Sequence, residues 1–229
     1  MEVGESQYTK GRFEMITKKK TFFVGVGCVV AFIIWTLLVC FVDKQAIGPQ
    51  ESVVGLATLN GWVHEQIGLH LSLYTLTDWL GLIPIGVAIG FAVFGLIQWI
   101  QRKSVSKVDN DILLLGGFYV GVMVVYVLFE VLVINYRPEM PEGVLEASYP
   151  SSTTMLALCI MPTAMMQCSG RIKNKTVRWC VMLIMAIFTA FMVIGRLLSG
   201  VHWLTDIIGG MLISAGLVLI YASMQKAES

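Results

Sequence analysis

The chain has 229 residues, of which 56% are hydrophobic and 14% charged, with a mean hydropathy of +0.77 and a formal net charge of +1. That composition excludes an ordinary soluble domain, and the near-neutral balance offers no basic face for a nucleic acid partner and no acidic tail. The five cysteines, Cys28, Cys40, Cys159, Cys168 and Cys180, lie in apolar segments or at their ends without paired spacing or a neighbouring histidine cluster, which predicts neither disulfides nor a zinc site.

Residues 1–20 form a basic N-terminal segment, followed by the first of six apolar runs at 21–42, 79–100, 112–135, 151–167, 178–198 and 202–223. Each is long enough to cross ~30 Å of hydrocarbon at about 1.5 Å per residue. The first run exceeds a signal-peptide core and no small-residue cleavage pattern follows it, so it reads as a retained anchor. Between the first two runs, residues 51–76 interleave Val54, Leu56, Trp62 and Ile67 with Glu51, His64, Glu65 and His70, the pattern of an amphipathic helix lying in the outer leaflet. Such a helix either guides a lipid towards a lateral opening or caps the bundle. His64 and His70 fall at this interface, with His64 a candidate for reaching a polar pocket as an acid.

In the second and third runs, Gly86 with Gly90 and Gly117 with Gly121 make small-x3-small pairs that predict close helix approach. The connections at 101–111 and 168–177 are short and polar, and 199–201 is barely a turn, so neighbouring runs must be antiparallel. The predicted fold is all-α: a polytopic bundle of six transmembrane helices, one membrane domain over 1–229, with the amphipathic segment between spans 1 and 2.

Lys10, Arg12, Lys18, Lys19, Lys20, Arg102, Lys103, Lys107, Arg171, Lys173, Lys175, Arg178 and Lys226 all fall on one side of such a bundle, thirteen of the sixteen lysines and arginines. The positive-inside rule makes that side cytoplasmic, with both termini inside and the loops near 43–78, 136–150 and 199–201 outside, as in a plasma membrane protein. The remaining cations are Lys44, Arg137 and Arg196.

Three polar clusters gather on the outer side, where burying them in an apolar protein is costly enough to suggest function. They are Asn135-Tyr136-Arg137-Pro138, then Tyr149-Pro150-Ser151-Ser152-Thr153-Thr154, then Gly195-Arg196 with His202-x3-Asp206. All three suit an anion. A helix opening at Ser151 points free N–H groups outward, and Arg137 and Arg196 offer forked donors to phosphoryl oxygens. His202 and Asp206, four residues apart, share one helix face, where a carboxylate can fix the imidazole tautomer and leave the other nitrogen free to attack.

These residues resemble the type 2 phosphatidic acid phosphatase family, related to the vanadium haloperoxidases. That family shows Lys-x6-Arg-Pro, Pro-Ser-Gly-His and Ser-Arg-x5-His-x3-Asp; this chain has Glu130-x6-Arg137-Pro138, Pro150-Ser151-Ser152-Thr153 and Gly195-Arg196-x5-His202-x3-Asp206. The resemblance spans about residues 110–210. It implies hydrolysis of a lipid phosphate at the extracytoplasmic face, with membrane lipids as surroundings and neither metal nor other cofactor. His202 would form a phosphohistidine, Asp206 would support the imidazolium, and Arg137, Arg196, Ser151 and the backbone at Ser152-Thr153 would hold the phosphoryl oxygens.

Three positions depart from the pattern: Glu130 for Lys, Thr153 for the His that protonates the leaving group, and Gly195 for Ser. A leaving alkoxide resembles hydroxide, whose parent acid has a pKa of about 15.7, and needs a proton. A leaving phosphomonoester, with a second pKa of about 6, does not. The losses therefore favour a diphosphate lipid, such as a polyprenyl diphosphate, over a monophosphate. Glu130 either supplies the missing proton or pairs with Arg137 or Arg196. The alternative to an enzyme is a catalytically impaired relative that binds or presents a phospholipid; a transporter is disfavoured because the spans carry few ionisable residues and no internal repeat.

Overall fold

The computed structural model describes residues 2–140 and 143–225, so Lys226, assigned above to the basic side, lies outside the described residues. In lipid a backbone must satisfy its own hydrogen bonds, and the apolar runs accordingly become helices. The described residues form α1 Glu2–Phe41, α2 Ala57–Ile67, α3 Leu71–Leu80, α4 Leu82–Arg102, α5 Asn110–Val131, α6 Ser152–Arg171, α7 Lys175–Leu198 and α8 Leu204–Met224, with no strand among them. The basic segment up to residue 20 is not a separate unit; its backbone continues into the first span as one helix.

Among the described residues, five stretches are long and apolar enough to cross a membrane: Met15–Phe41, Leu71–Arg102, Asn110–Val131, Lys175–Leu198 and Leu204–Met224. With surfaces covered by exposed side chains such as Phe23, Ile89, Val124, Trp179 and Ile184, the chain is an all-α polytopic integral membrane protein. The predicted fourth span, α6, is as long but less apolar, because α4, α5, α7 and α8 surround it. It buries Thr154, Thr163 and Gln167 against protein instead of lipid.

Two expectations change. The second span begins near residue 71, not 79: α3 and α4 run almost continuously for 32 residues, about 48 Å at 1.5 Å per residue, well beyond the hydrocarbon thickness. The segment 51–76 is therefore not one amphipathic helix but α2 followed by the first half of α3. The glycine pairs also do not serve close packing, since a Cβ added at Gly86, Gly90, Gly117 or Gly121 would meet nothing within 4 Å. Close approach occurs instead between α1 and α8, where a Cβ at Gly216 would lie 2.6 Å from Val29 and one at Gly25 would lie 2.9 Å from Ile220.

The loops opposite the basic end are pinned to the bundle by side chains. Tyr149 stacks on Phe32 at 6.2 Å and meets Phe129 edge-on, and its hydroxyl bonds Thr36 Oγ1 at 2.7 Å, fixing the 132–151 loop to α1. Buried Asn60 on α2 donates to Thr205 Oγ1 at 2.9 Å and accepts from the Thr205 N–H at 3.2 Å, seating α2 over the start of α8. At the basic end Arg102 bonds Asp109 at 2.7 Å and Arg171 bonds Asp111 at 2.8 Å. The Arg102 hydrogen bond holds the Asp109 carboxyl below the usual carboxylate range.

Candidate active site

The polar clusters meet at one end of the bundle, where α3, α6, α7 and α8 converge with the 132–151 loop. Helix α7 delivers Arg196 and then turns sharply through Ser199, whose hydroxyl donates to the Arg196 carbonyl at 2.8 Å. Gly200 completes the turn with φ +74, and a Cβ there would lie 2.0 Å from the Gly68 carbonyl, so only glycine fits. The turn carries His202 back over Arg196.

Arg196 is completely buried, yet its partners are few and long. Nη2 stands 3.3 Å from His202 Nε2; Nη1 stands 3.5 Å from both Thr77 Oγ1 and Asp78 Oδ1; Tyr74 lies under the guanidinium at 5.2 Å; Nε has no partner. A guanidinium carries five N–H donors, and burying it with several unmatched is costly unless an oxyanion completes the set. Arg137 reaches the same tyrosine, with Nη1 at 3.3 Å from Tyr74 Oη and its carbon 5.9 Å from the ring. Arg137 Nη2 bonds Glu146 at 3.0 Å, and its buried Nε is also unmatched. Each arginine thus holds one carboxylate and keeps further donors unmatched.

His202 is buried, with its ring held far below the ordinary histidine range, first by desolvation and then by Arg196 and Arg137. Its Nδ1 faces Asp206 Oδ2 at 3.6 Å, just outside hydrogen-bonding range, and Nε2 faces Arg196. Asp206 Oδ2 also accepts the Trp203 N–H at 2.9 Å, so the carboxylate caps α8 as well as addressing the histidine. Asn135 and Ser148 lie beside the same carboxylate. Ser151 Oγ has no partner, and Asp206 Oδ1, Asn135 Nδ2, Ser148 Oγ and His202 Nδ1 gather here outside strict hydrogen-bond geometry, a concentration of weakly committed polar atoms at one place.

The structure therefore brings together Arg137, Arg196, His202 and Asp206. Ser151 joins them through its N–H, which bonds the Asp206 carbonyl at 3.1 Å. Ser152 and Thr153 occupy the first turn of α6, where N–H groups have no intrahelical acceptor. Glu130 is exposed near the end of α5 beside Tyr126, and shares a small cleft with Ser148, Pro150 and Ser152 at the edge of the site. Among the described ion pairs, Arg137 takes Glu146 and Arg196 takes Asp78, which replaces the expected pairing of either with Glu130. His64 lies 5.5 Å from Trp203 and 3.6 Å from Glu139, away from Arg196.

The departure at Gly195 has a packing cause. A Cβ there would sit 2.8 Å from Thr77 Cγ2, so the glycine lets α3 close on α7. That closure introduces Tyr74, Thr77 and Asp78, which the sequence motifs do not contain. Their signal was a polar stripe at i, i+3 and i+4 at the mouth of an apolar run.

The sequence model of the PAP2 superfamily matches residues 131–229, a stretch that begins just after Glu130 and contains every other motif position. The fold is similar to the crystal structure of a transmembrane PAP2-type phosphatidylglycerolphosphate phosphatase from Bacillus subtilis, with a TM-score of 0.59 and 18% identity, covering 87% of this chain and 93% of that one. At that identity the likeness bears on the fold alone. No curated protein matches the sequence.

Proposed function

We propose that this chain, which belongs to the PAP2 superfamily over residues 131–229, is a membrane lipid phosphatase that works through a phosphohistidine on His202 at the outer face. The observation that carries the reading is the buried, neutral His202 with Nε2 3.3 Å from an under-coordinated Arg196. The phosphoryl group displaces Asp78 and Glu146 and takes the freed donors of Arg196 and Arg137, together with the α6 N–H groups. His202 Nε2 then attacks phosphorus, and Asp206 supports the positive charge that develops on the ring. Water releases phosphate in a second step.

The substrate class follows from Thr153 and from the surface. With threonine at 153, a diphosphate lipid is the better substrate, because its departing phosphomonoester leaves with little protonation, whereas an alkoxide depends on whatever acid the rest of the site supplies. A cleft of about 1260 Å³ between α4 and α5, lined by Ile85, Phe91, Trp99, Val120 and Leu128, runs the height of the bundle and suits a prenyl or acyl tail. The direct test is phosphate release from lipid monophosphates and diphosphates by the purified protein in detergent.

Sidedness is tested separately. A cysteine at Gly143, in the loop that carries Arg137, is expected to react with an impermeant thiol reagent applied to intact cells. Labelling only after permeabilisation would overturn the outward orientation and the extracytoplasmic site with it.

A further inference from the structure

The geometry points to Asp78 as the general acid of this site, protonating the leaving oxygen as His202 displaces it. It thereby fills the role of the histidine that the family pattern carries where this chain has Thr153. The inference rests on the phosphatase reading above.

Three observations support it. Arg196 presents its two terminal nitrogens to two different groups, Nη2 to His202 Nε2 at 3.3 Å and Nη1 to Asp78 Oδ1 at 3.5 Å. A phosphoryl group held on that guanidinium sits between nucleophile and carboxylate. Phosphoryl transfer is in line, so the leaving oxygen departs on the side away from His202, which is the Asp78 side.

Exposure fits the same division of labour. His202 and Asp206 are buried, whereas the Asp78 side chain is 56% exposed. A group that hands a proton to a departing lipid must stand at the mouth of the site. The backbone of the same helix end adjoins position 153: a Cβ built on Gly81, three residues after Asp78, would lie 3.3 Å from Thr153 Cγ2. The other carboxylates are placed for other tasks. Glu146 is on Arg137, Asp206 caps α8 behind His202, and Glu130 faces Ser148 and Ser152 from α5, with no ion pair to either arginine among the described residues.

The chemistry balances without a co-reactant beyond water. As the His202 Nε2–P bond forms, the P–O bond to the leaving group breaks, and the Asp78 proton goes to that oxygen. Water then attacks phosphorus, the N–P bond breaks, and Asp78 takes the proton of the attacking water, which restores the acid.

The test is a single-turnover measurement with enzyme in excess, comparing wild type and Asp78→Asn on a prenyl monophosphate and the matching prenyl diphosphate. Asparagine keeps an oxygen acceptor for Arg196 but has no proton of use. Prenyl alcohol release from the monophosphate is expected to slow by about 10²-fold or more, the usual weight of a general acid. Prenyl phosphate release from the diphosphate is expected to slow roughly tenfold less, since that group leaves with little protonation. An equal fall on both substrates would mean that Asp78 only positions Arg196, and no fall on either would mean that it takes no part; both results overturn the assignment. A wild type that releases product from neither lipid would overturn the phosphatase reading itself.

Discussion

Replacing His202 with alanine is expected to lower phosphate release by roughly three orders of magnitude or more, on the scale seen when a covalent nucleophile is removed. The imidazole offers Nε2 to the Arg196 pocket, and desolvation keeps it unprotonated at neutral pH. Asp206→Asn isolates a second contribution. Its amide oxygen still accepts the Trp203 N–H, so the start of α8 stays capped while the negative charge beside the ring is lost. The expected fall is roughly 10²-fold or more, because the phosphorylated imidazolium no longer has a counter-charge. Both variants should keep the wild-type gel-filtration profile and helical circular dichroism. Wild-type rates in a folded His202→Ala protein would remove the nucleophile from the account.

The second large effect concerns substrate choice. Thr153→His places a second acid on α6 next to Gly81, and Glu130→Lys replaces an exposed carboxylate near the end of α5 with the cation of the family pattern. The double variant is expected to gain mainly on lipid monophosphates, raising the monophosphate-to-diphosphate ratio of kcat/KM by roughly tenfold or more. The wild type should prefer diphosphates. An unchanged ratio would detach the preference from leaving-group protonation and leave Thr153 without a role in it.

How far the sequence reaches is clear from particular residues. The spans were legible because the apolar runs are long and the polar connections short. The Arg137, Ser151, Arg196 and His202-x3-Asp206 constellation was legible because the spacing puts each group at a helix end on one side of the bundle. The start of the second span was hidden by Thr75, Thr77 and Asp78, which break the apolar run although α3 continues through them. Thr77 and Asp78 reach the site only because Gly195 admits Thr77 against α7, a close approach that no local spacing encodes. The glycine pairs misled for the converse reason: small residues permit contact, but Gly86 and Gly90 face open space, and Gly117 lines the apolar cleft.

The placement of Glu130 shows a related limit. Seven residues before Arg137 it matches the family spacing, yet α5 ends at Val131 and the chain leaves the helix before Arg137 turns back into the site. Helical spacing no longer relates the two positions. The buried arginine finds its carboxylate on α3 instead, from a segment about 118 residues earlier in the chain.

The central claim is that this pocket hydrolyses lipid phosphates. It is tested most directly by measuring inorganic phosphate released from a panel of lipid monophosphates and diphosphates by the purified wild-type protein in detergent. The account predicts turnover, faster on diphosphates, and abolished in His202→Ala. Binding of the same lipids with no phosphate released from any of them would contradict it, and would identify the chain as a relative that holds phospholipids without cleaving them.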